Sequence, residues 1–213
     1  MPKISIVLAA HNAQDHIKKM LESIRSQSFT DYELIMVCDA CTDHTAVVAG
    51  VYADKVIEVD YRNPGLARNA GLEAATGEWF TVVDDDDWFL HEFALEQVAE
   101  ELTDDIDMLN VGFIWKDVGY TRPRRPGGFY WPAPWARYIR RSAIGDIRFP
   151  EDYPDDLLFL NELLSDSFLR IRNFDMPVYY YNYMREGSIT DLMNKAGREP
   201  DLRRKKDARI QRN

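Results

Sequence analysis

Strands and helices alternate along the first 114 residues, and this order limits the chain to a small group of folds. Short apolar runs rich in β-branched residues, typical of buried strands, occur at 4–9, 33–38, 55–59, 78–83 and 107–114. Amphipathic segments with helical spacing lie between them, as over residues 13–27. Such alternation with short connections indicates βαβ units. We therefore predict an α/β fold with a mostly parallel central sheet flanked by helices.

Polar residues follow three of these strands at the point where each strand ends. Asn12 follows the first strand, Asp39 the second, and four consecutive aspartates, Asp84 to Asp87, the fourth. Ligands bind at the carboxyl ends of strands in parallel sheets, so we expect these residues to share one edge. An isolated acidic run is more simply a solvated turn or the start of a helix near Leu90. Its place at this edge favours a binding site.

The acidic run has the chemistry of a cation site. Adjacent carboxylates repel one another, and a bound cation relieves that repulsion. Oxygen ligands on a tight turn suit a hard divalent ion such as Mg²⁺ or Mn²⁺, which keeps some waters and also takes substrate phosphates.

Composition limits the partners. The net charge of −10 argues against nucleic-acid binding. No apolar run approaches the ~20 residues of a membrane span, and we expect no signal peptide, because residues 1–4 lead straight into the first strand. We therefore expect a cytoplasmic protein. The basic tail over residues 195–213 is expected to be a frayed end, or at most a peripheral contact with the inner face of a membrane.

Two cysteines, Cys38 and Cys41, have the C-x-x-C spacing of redox and zinc sites. The pair brackets Asp39 instead of opening a helix, and no second pair exists in the sequence to complete a zinc site. We predict that Cys38 is a small buried residue and that Cys41 takes the place of a serine in a turn.

Six motifs occur in a fixed order along most of the chain. They are ISIVLAAHN (4–12), LIMVCDACTD (34–43), NPGLARNAG (63–71), GEWFTVVDDDDW (77–88), RFPEDYPDDLLF (148–159) and PVYYYNYMREGSI (177–189). In order and spacing they resemble the family 2 inverting glycosyltransferases of the GT-A fold. The resemblance implies one GT-A domain over residues 1–194, with a nucleotide-sugar half (1–114) and an acceptor half (115–194), followed by the tail.

The resemblance also implies a site for a nucleoside-diphosphate sugar, with UDP-sugar as the expected donor. Asp84 and Asp86 match the family's D-x-D motif, in which Asp86 binds Mn²⁺ or Mg²⁺ and Asp84 contacts the donor ribose or the metal through water. Asp85, between them, is assigned to donor binding. Asp39 matches the aspartate that accepts a hydrogen bond from the nucleobase, and Arg68 an arginine near the base and phosphates.

The end of the first strand completes the expected base pocket. The backbone of Ala9 is expected to line it, and Asn12 occupies the asparagine position of the family's Tyr-Asn pair. The second motif departs from the family, because Cys38-Asp39-Ala40-Cys41 replaces Asp-Asp-Gly-Ser. This change leaves the identity of the base open.

Inversion at the sugar needs a base that deprotonates the acceptor hydroxyl. The family places a Glu-Asp pair at a helix start, and here Asp155-Asp156 stands there, so Asp156 is the candidate. Two alternatives stay open: Asp152 as the base, and a helix-capping role for the pair.

The acceptor is expected to be a glycan, a lipid-linked group or another hydroxyl compound in polysaccharide or glycoconjugate biosynthesis. Aromatic and arginine residues over 115–141 are equally consistent with sugar contacts and with packing on the domain. Two other functions stay open. One is a nucleotidyltransferase, against which the absence of a glycine-rich loop after the first strand speaks. The other is a catalytically silent sugar-nucleotide binder.

Overall fold

The computed structural model describes residues 1–121, 133–188, 191–192 and 195–196. In these ranges nine strands form one sheet: β1 Ile4–Ala10, β2 Tyr32–Asp39, β3 Lys55–Val59, β4 Trp79–Val83, β5 Trp88–Phe89, β6 Met108–Trp115, β7 Gly119–Thr121, β8 Arg137–Arg140 and β9 Ile171–Tyr181. The helices described are α1 Ile17–Arg25, α2 Thr45–Tyr52, α3 Pro64–Ala74, α4 Ala94–Glu101, α5 Arg141–Ile144 and α6 Asp155–Leu163, with a short 3₁₀ turn at Pro134–Ala136.

The first four strands form the parallel half of the sheet, in the order β3-β2-β1-β4. Ala10 of β1 pairs with Cys38 of β2, and Leu8 pairs with Val83 of β4, so these strands end at nearly the same level. The residues that follow them therefore meet at one edge, as the sequence predicts. Buried side chains fill most of β1, β2 and β4, as is typical of a sheet covered on both faces, whereas the edge strand β3 is partly exposed.

The second half of the sheet is mixed. Strand β8 runs antiparallel to both β4 and β6, whereas β6 and β9 are parallel. The segment 115–136, which the sequence indicates as a loop, contributes β7 as an antiparallel partner of β6 and the 3₁₀ turn. Strand β8, which carries four residues, has too short a periodic pattern to be found from the sequence.

The helix expected from Leu90 begins later, at Ala94. Trp88 and Phe89 instead form β5, which pairs antiparallel with Tyr180 and Tyr179 of β9. The Trp88 and Tyr180 rings stack with their centres 4.0 Å apart. This long-range pairing continues at Leu90, whose amide donates to the Val178 carbonyl at 3.0 Å, so the helix begins only after it.

Helix α3 lies close against the parallel half. A Cβ atom on Gly71 would lie 2.2 Å from a methyl carbon of Val7, so only glycine permits this approach. The core under α3 and α6 consists of apolar side chains from both halves of the sheet, among them Val7, Ile35, Phe80, Met108, Ile139, Phe149 and Phe159. This packing fixes α3, which carries Arg68, against the start of α6.

The structure divides into two units, Met1–Tyr181 and Asn182–Asn213. Part of the segment 115–141, which the sequence offers for sugar contacts, lies outside the described ranges, including Arg122, Arg124, Arg125, Tyr130 and Trp131, and so does the tail from residue 197 onward. Among the helices in the described ranges, none has the length and apolar character required to cross a bilayer.

Candidate active site

The acidic turn directly after β4 is closed by hydrogen bonds. The Asp87 amide donates to the Asp84 carbonyl at 3.5 Å, and the Asp84 amide donates to the hydroxyl of Tyr179 at 3.2 Å. Asp87 and Tyr179 are buried, and their side chains are hydrogen bonded to each other. Asp84, Asp85 and Asp86 are partly exposed. The turn therefore presents its first three carboxylates at the edge of the sheet and keeps the fourth inside.

Asp84 carries an unfavourable charge in this position. Burial raises the pKa of its carboxyl group to about 7, and the Asp86 and Asp85 carboxylates add to the rise, while Arg68 opposes it. A cation placed beside Asp84 and Asp86 would favour their charged forms. No described group of three or more histidine, cysteine, aspartate or glutamate side chains is arranged to hold a metal by itself. Two carboxylates nevertheless suit an ion that completes its shell with phosphate and water oxygens.

Arg68 of α3 lies between the acidic turn and the start of α6. Its guanidinium group is hydrogen bonded to the Asp155 carboxylate, and a second nitrogen lies 3.7 Å from an Asp84 oxygen. Burial opposes the charge on Arg68, but the carboxylates of Asp155, Asp84 and Asp156 outweigh burial and raise its pKa. One cationic side chain thus joins carboxylates from two distant parts of the sequence.

Asp155 and Asp156 occupy the first turn of α6 but do not cap it in the usual way. The residue before the helix is Pro154, whose side chain makes no capping bond. Asp155 is 5% exposed and binds Arg68. An Asp156 oxygen accepts the Leu157 amide at 2.7 Å, and burial raises the pKa of the Asp156 carboxyl group to about 6.

Gly65 brings α3 against the segment that precedes α6. A Cβ atom there would lie 2.2 Å from the Pro150 carbonyl oxygen, a backbone atom that cannot move aside alone. We expect Gly65→Ala to separate these segments and to lower the free energy of unfolding by about 1–3 kcal/mol, measured by denaturant titration.

Gly50→Ala in α2 is the matched control, because a Cβ atom on Gly50 would meet nothing within 4 Å. We expect that variant to be neutral, or more stable by up to about 1 kcal/mol, because alanine favours the helix more than glycine does. Equal losses of stability in the two variants would contradict the proposed close contact at Gly65.

Asp39 is buried at the end of β2, where its carboxylate organises the loop before α3. One oxygen accepts the amides of Tyr61 and Arg62 at 2.7 and 2.8 Å, and the other accepts the Asn63 amide at 2.8 Å. A carboxylate offers about four acceptor positions, so one is left on the oxygen bound to Asn63. Ala40, where the family has glycine, adopts a φ of 51°, a conformation that glycine reaches at less cost.

The turn after β1 is tied to the turn after β2. The Asn12 side-chain oxygen accepts the Thr42 amide at 2.8 Å, and the His11 ring lies 2.7 Å from the Asp39 carbonyl oxygen, to which it donates. Ala9 is the one residue of β1 that is not fully buried. Asn12 and Ala9 therefore lie at the predicted edge, and the Asn12 side chain holds the two turns together.

The two cysteines are characterised by burial and by hydrogen bonding. Cys38 is buried, and burial raises the pKa of its thiol to about 12. Burial also raises the pKa of Cys41, whose thiol donates to the Ala10 carbonyl at 3.4 Å. Both are free thiols. The prediction that Cys38 is a small buried residue is confirmed, and Cys41 lies half-buried in the loop between β2 and α2.

Two tryptophans considered as sugar contacts pack inside the domain. Trp135 stacks on Tyr179 with ring centres 5.0 Å apart, and Trp115 lies 6.2 Å from the ring centre of Tyr181. Both tryptophans are 5% exposed or less. They are therefore unavailable to an acceptor, and packing is the correct alternative for these two.

Sequence reasoning missed two residues that contact the acidic turn. One is Tyr179, and the other is His16, whose ring nitrogen lies 3.1 Å from an Asp85 oxygen. The late apolar run that contains Tyr179 indicates a strand, but no local signal connects it to Asp84. The sequence offers no signal for His16 beyond its position before an amphipathic helix.

Sequence comparisons find known proteins that are similar to this chain. EpsH of Bacillus subtilis strain 168, which carries a glycosyltransferase name, is 31% identical over 154 residues, covering 69% of this chain and 44% of EpsH. The poly(ribitol-phosphate) β-N-acetylglucosaminyltransferase TarS of Staphylococcus aureus strain MW2 is 32% identical over 212 residues, covering 88% of this chain and 36% of TarS. The chain thus spans less than half the length of these two relatives.

Solved structures show the same architecture. The S. aureus TarS fragment 1–349, crystallised with UDP-GlcNAc, superposes with a TM-score of 0.76 at 24% identity, covering 89% of this chain and 60% of the fragment. The mannosyltransferase PcManGT of Pyrobaculum calidifontis, solved with GDP-Man and Mn²⁺, gives a TM-score of 0.69 at 18% identity, covering 92% of this chain and 61% of PcManGT. The predicted GT-A fold is confirmed.

Most of the residues described above fall within a match to one protein family. The model of glycosyl transferase family 2 matches residues 5–160. This range includes the strand ends, Asp39, Arg68, the acidic turn and the start of α6. Because the match takes in well over half of the 213 residues, the chain belongs to glycosyl transferase family 2.

Proposed function

We propose that this protein is a metal-dependent, inverting glycosyltransferase that moves a sugar from a nucleoside-diphosphate donor, UDP-sugar, to an acceptor hydroxyl. The observation that carries the proposal is the position of Arg68, which pairs with Asp155 at the start of α6 and lies 3.7 Å from Asp84 in the acidic turn. This arrangement joins the proposed phosphate-binding edge to the proposed catalytic base.

The donor diphosphate is proposed to bind between the acidic turn and Arg68. A divalent cation held by Asp84 and Asp86 would offset the charge that builds up on the departing diphosphate. Arg68 offers several N–H donors to phosphate oxygens and is held in place by Asp155. Asp85 lies in the turn between the two proposed ligands, with its carboxylate on His16.

Asp156 is proposed to take the proton of the acceptor hydroxyl. The freed oxygen attacks the anomeric carbon as the bond to the diphosphate breaks, and the electron pair leaves with the diphosphate. Attack from the side opposite the leaving group inverts the configuration. A carboxyl group with a pKa of about 6 suits this role, because it is ionised at neutral pH yet more basic than an ordinary aspartate.

The nucleobase is proposed to bind at the ends of β1 and β2, near Ala9 and Asn12. Asp39 has one acceptor position left beside its three backbone partners, and that position could take a base N–H such as the one at N3 of uracil. This is why we favour a uracil base, although Asp39 also supports the loop over residues 61–63.

Asp39→Asn tests this assignment. An amide NH₂ group cannot accept the base N–H, and loss of a charge-assisted hydrogen bond costs roughly 1.5–3 kcal/mol, so UDP affinity should fall about ten- to a hundredfold. The measurement is calorimetric titration with UDP and with CDP, whose base lacks the N3–H.

The ratio of the two affinities separates base recognition from loop support, because a disturbed loop weakens both nucleotides alike. We expect the preference for UDP over CDP to shrink in the variant. Asp60→Asn, an exposed neighbour, is the control. An unchanged ratio would remove Asp39 from the base pocket.

The test of the proposed function combines binding and product analysis. A thermal-shift screen of nucleoside diphosphates and nucleotide sugars, with and without Mn²⁺, identifies the donor, because a ligand at a hundred times its Kd stabilises by about 2.7 kcal/mol. Incubation of that donor with candidate glycan, lipid-linked and other hydroxyl acceptors then shows whether diphosphate is released, and NMR gives the anomeric configuration of the product.

The possible results distinguish the proposed function from the alternatives. Diphosphate release with inversion supports the proposal, and retention contradicts it. Pyrophosphate release from a nucleoside triphosphate and a sugar phosphate would identify a nucleotidyltransferase. Donor binding with neither transfer nor hydrolysis would identify a silent binder.

A further inference from the structure

One face of α1 contacts the segment 85–89 at three points. The His16 ring nitrogen, just before the helix, lies 3.1 Å from the Asp85 carboxylate. The Lys19 ammonium lies 2.8 Å from the centre of the Trp88 ring. The Ser23 hydroxyl accepts the Phe89 amide at 3.1 Å. Residues spaced by three and four lie on one face of a helix, so these contacts form one continuous stripe.

The same segment is held from the opposite side by β9. Tyr179 accepts the Asp84 amide, and Trp88 and Phe89 pair with Tyr180 and Tyr179. The acidic turn is therefore fixed between α1 and β9, and its conformation does not depend on its own short loop alone.

The contact between His16 and Asp85 fixes the position of the Asp85 carboxylate. An ionised carboxylate only accepts hydrogen bonds, so the ring nitrogen of His16 is the donor. Both side chains are about one fifth exposed, at 22% and 19%. Asp85 stands between two carboxylates proposed to bind the same cation, and a free carboxylate at that position would compete with them for the ion. The hydrogen bond holds Asp85 on α1 instead.

We propose that His16 is a positioning residue of the metal site, which holds Asp85 away from the cation and thereby fixes the geometry that Asp84 and Asp86 present. The proposal rests on the proposed function, since it concerns the same metal and donor. Residues that orient metal ligands through a second contact commonly change metal affinity by 10–100-fold when they are replaced.

The test compares His16→Phe, which keeps a ring but loses the donor, with His16→Gln, whose amide can still donate to Asp85. His44→Phe is the matched control, because His44 precedes α2 as His16 precedes α1 and its side chain is exposed. Mn²⁺ affinity is measured by electron paramagnetic resonance in the presence of UDP. Hydrogen exchange of the amides of Asp84, Asp87 and Phe89 is measured in the metal-free protein.

We expect His16→Phe to weaken Mn²⁺ binding about tenfold and to speed exchange of the three amides, with kcat retained at saturating Mn²⁺. His16→Gln should restore most of the affinity, and His44→Phe should match the wild type. If His16→Phe does not fold, His16→Asn, whose shorter amide does not reach Asp85, replaces it. The proposal would be overturned if His16→Phe, or His16→Asn in its place, bound Mn²⁺ as tightly as the wild type. It would also be overturned if His44→Phe lost as much Mn²⁺ affinity as His16→Phe.

Asp86→Ala distinguishes this inference from the proposed function. If Asp86→Ala abolishes Mn²⁺ binding while His16→Phe binds normally, only the role of His16 is wrong. If neither the wild type nor any variant binds Mn²⁺ with UDP, the proposed function fails and the role of His16 fails with it.

Discussion

Asp86→Ala is expected to abolish sugar transfer and Mn²⁺ binding while leaving the fold intact. Asp86 is the proposed metal ligand in a turn where Asp84, Asp85 and Asp86 raise the local negative charge, and the Asp86 carboxylate contributes to the raised pKa of Asp84. Removing one carboxylate relieves repulsion, so the melting temperature of the metal-free variant should equal or exceed that of the wild type. Calorimetry and an assay of diphosphate release measure the two effects.

Metal removal should reproduce the loss reversibly. A chelator in excess should stop transfer by the wild type, and Mn²⁺ or Mg²⁺ should restore it, whereas Asp86→Ala should stay inactive in either ion. Asp104→Ala is the control, because its side chain is fully exposed and far along the chain from the turn. Full activity in excess chelator, or full activity of Asp86→Ala, would contradict the metal assignment.

Asp156→Asn is expected to reduce transfer by about 10²–10⁴-fold, the usual contribution of a positioned general base. Donor and Mn²⁺ affinity should stay near the wild-type values, since the base is proposed to act on the acceptor. The asparagine oxygen can still accept the Leu157 amide, so a purely structural role for Asp156 predicts little loss of activity. Single-turnover kinetics and UDP titration measure the two quantities separately.

The same variant has a predictable effect on stability. Burial raises the pKa of Asp156 to about 6, so the ionised carboxylate destabilises the folded state at neutral pH. This penalty is absent below the pKa of an aspartate in the unfolded chain, about 3.9, and is complete above the pKa of Asp156 in the folded state. At pH 7.5 the free energy of unfolding of Asp156→Asn should therefore exceed that of the wild type by up to about 3 kcal/mol, with a higher melting temperature, and the difference should shrink towards pH 4.

Two neighbouring aspartates serve as controls for the base. Asp152 is exposed, and Asp152→Asn should keep its activity. Asp155→Asn should weaken donor binding instead, because Asp155 holds Arg68. An inactive Asp152→Asn together with an active Asp156→Asn would show that Asp152, the alternative left open by the sequence, is the base. For the wild type, kcat/KM should fall as the pH drops through about 6, where Asp156 becomes protonated.

The parallel half of the fold could be predicted from the sequence because its signals are local. Each strand from β1 to β4 is a short apolar run, and the strand over residues 55–59 has the bounds that the pattern indicates. Parallel strands with helical connections end at a common edge, so the meeting of Asn12, Asp39 and Asp84 followed from the order of elements alone. The family motifs pointed to the same edge.

Only the tertiary structure decided what surrounds these residues. Asp84 contacts Tyr179 across 95 positions of the sequence, Arg68 contacts Asp155 across 87, and His16 contacts Asp85 across 69. Periodicity reports which face of an element is apolar, not which distant side chain meets it, so none of these pairs has a local signal. The strand at Trp88–Phe89 shows the same limit, because it forms by pairing with β9 and has no local signal of its own. The sequence by itself determined the edge where the proposed site lies, and long-range packing determined the charges and hydrogen bonds around it.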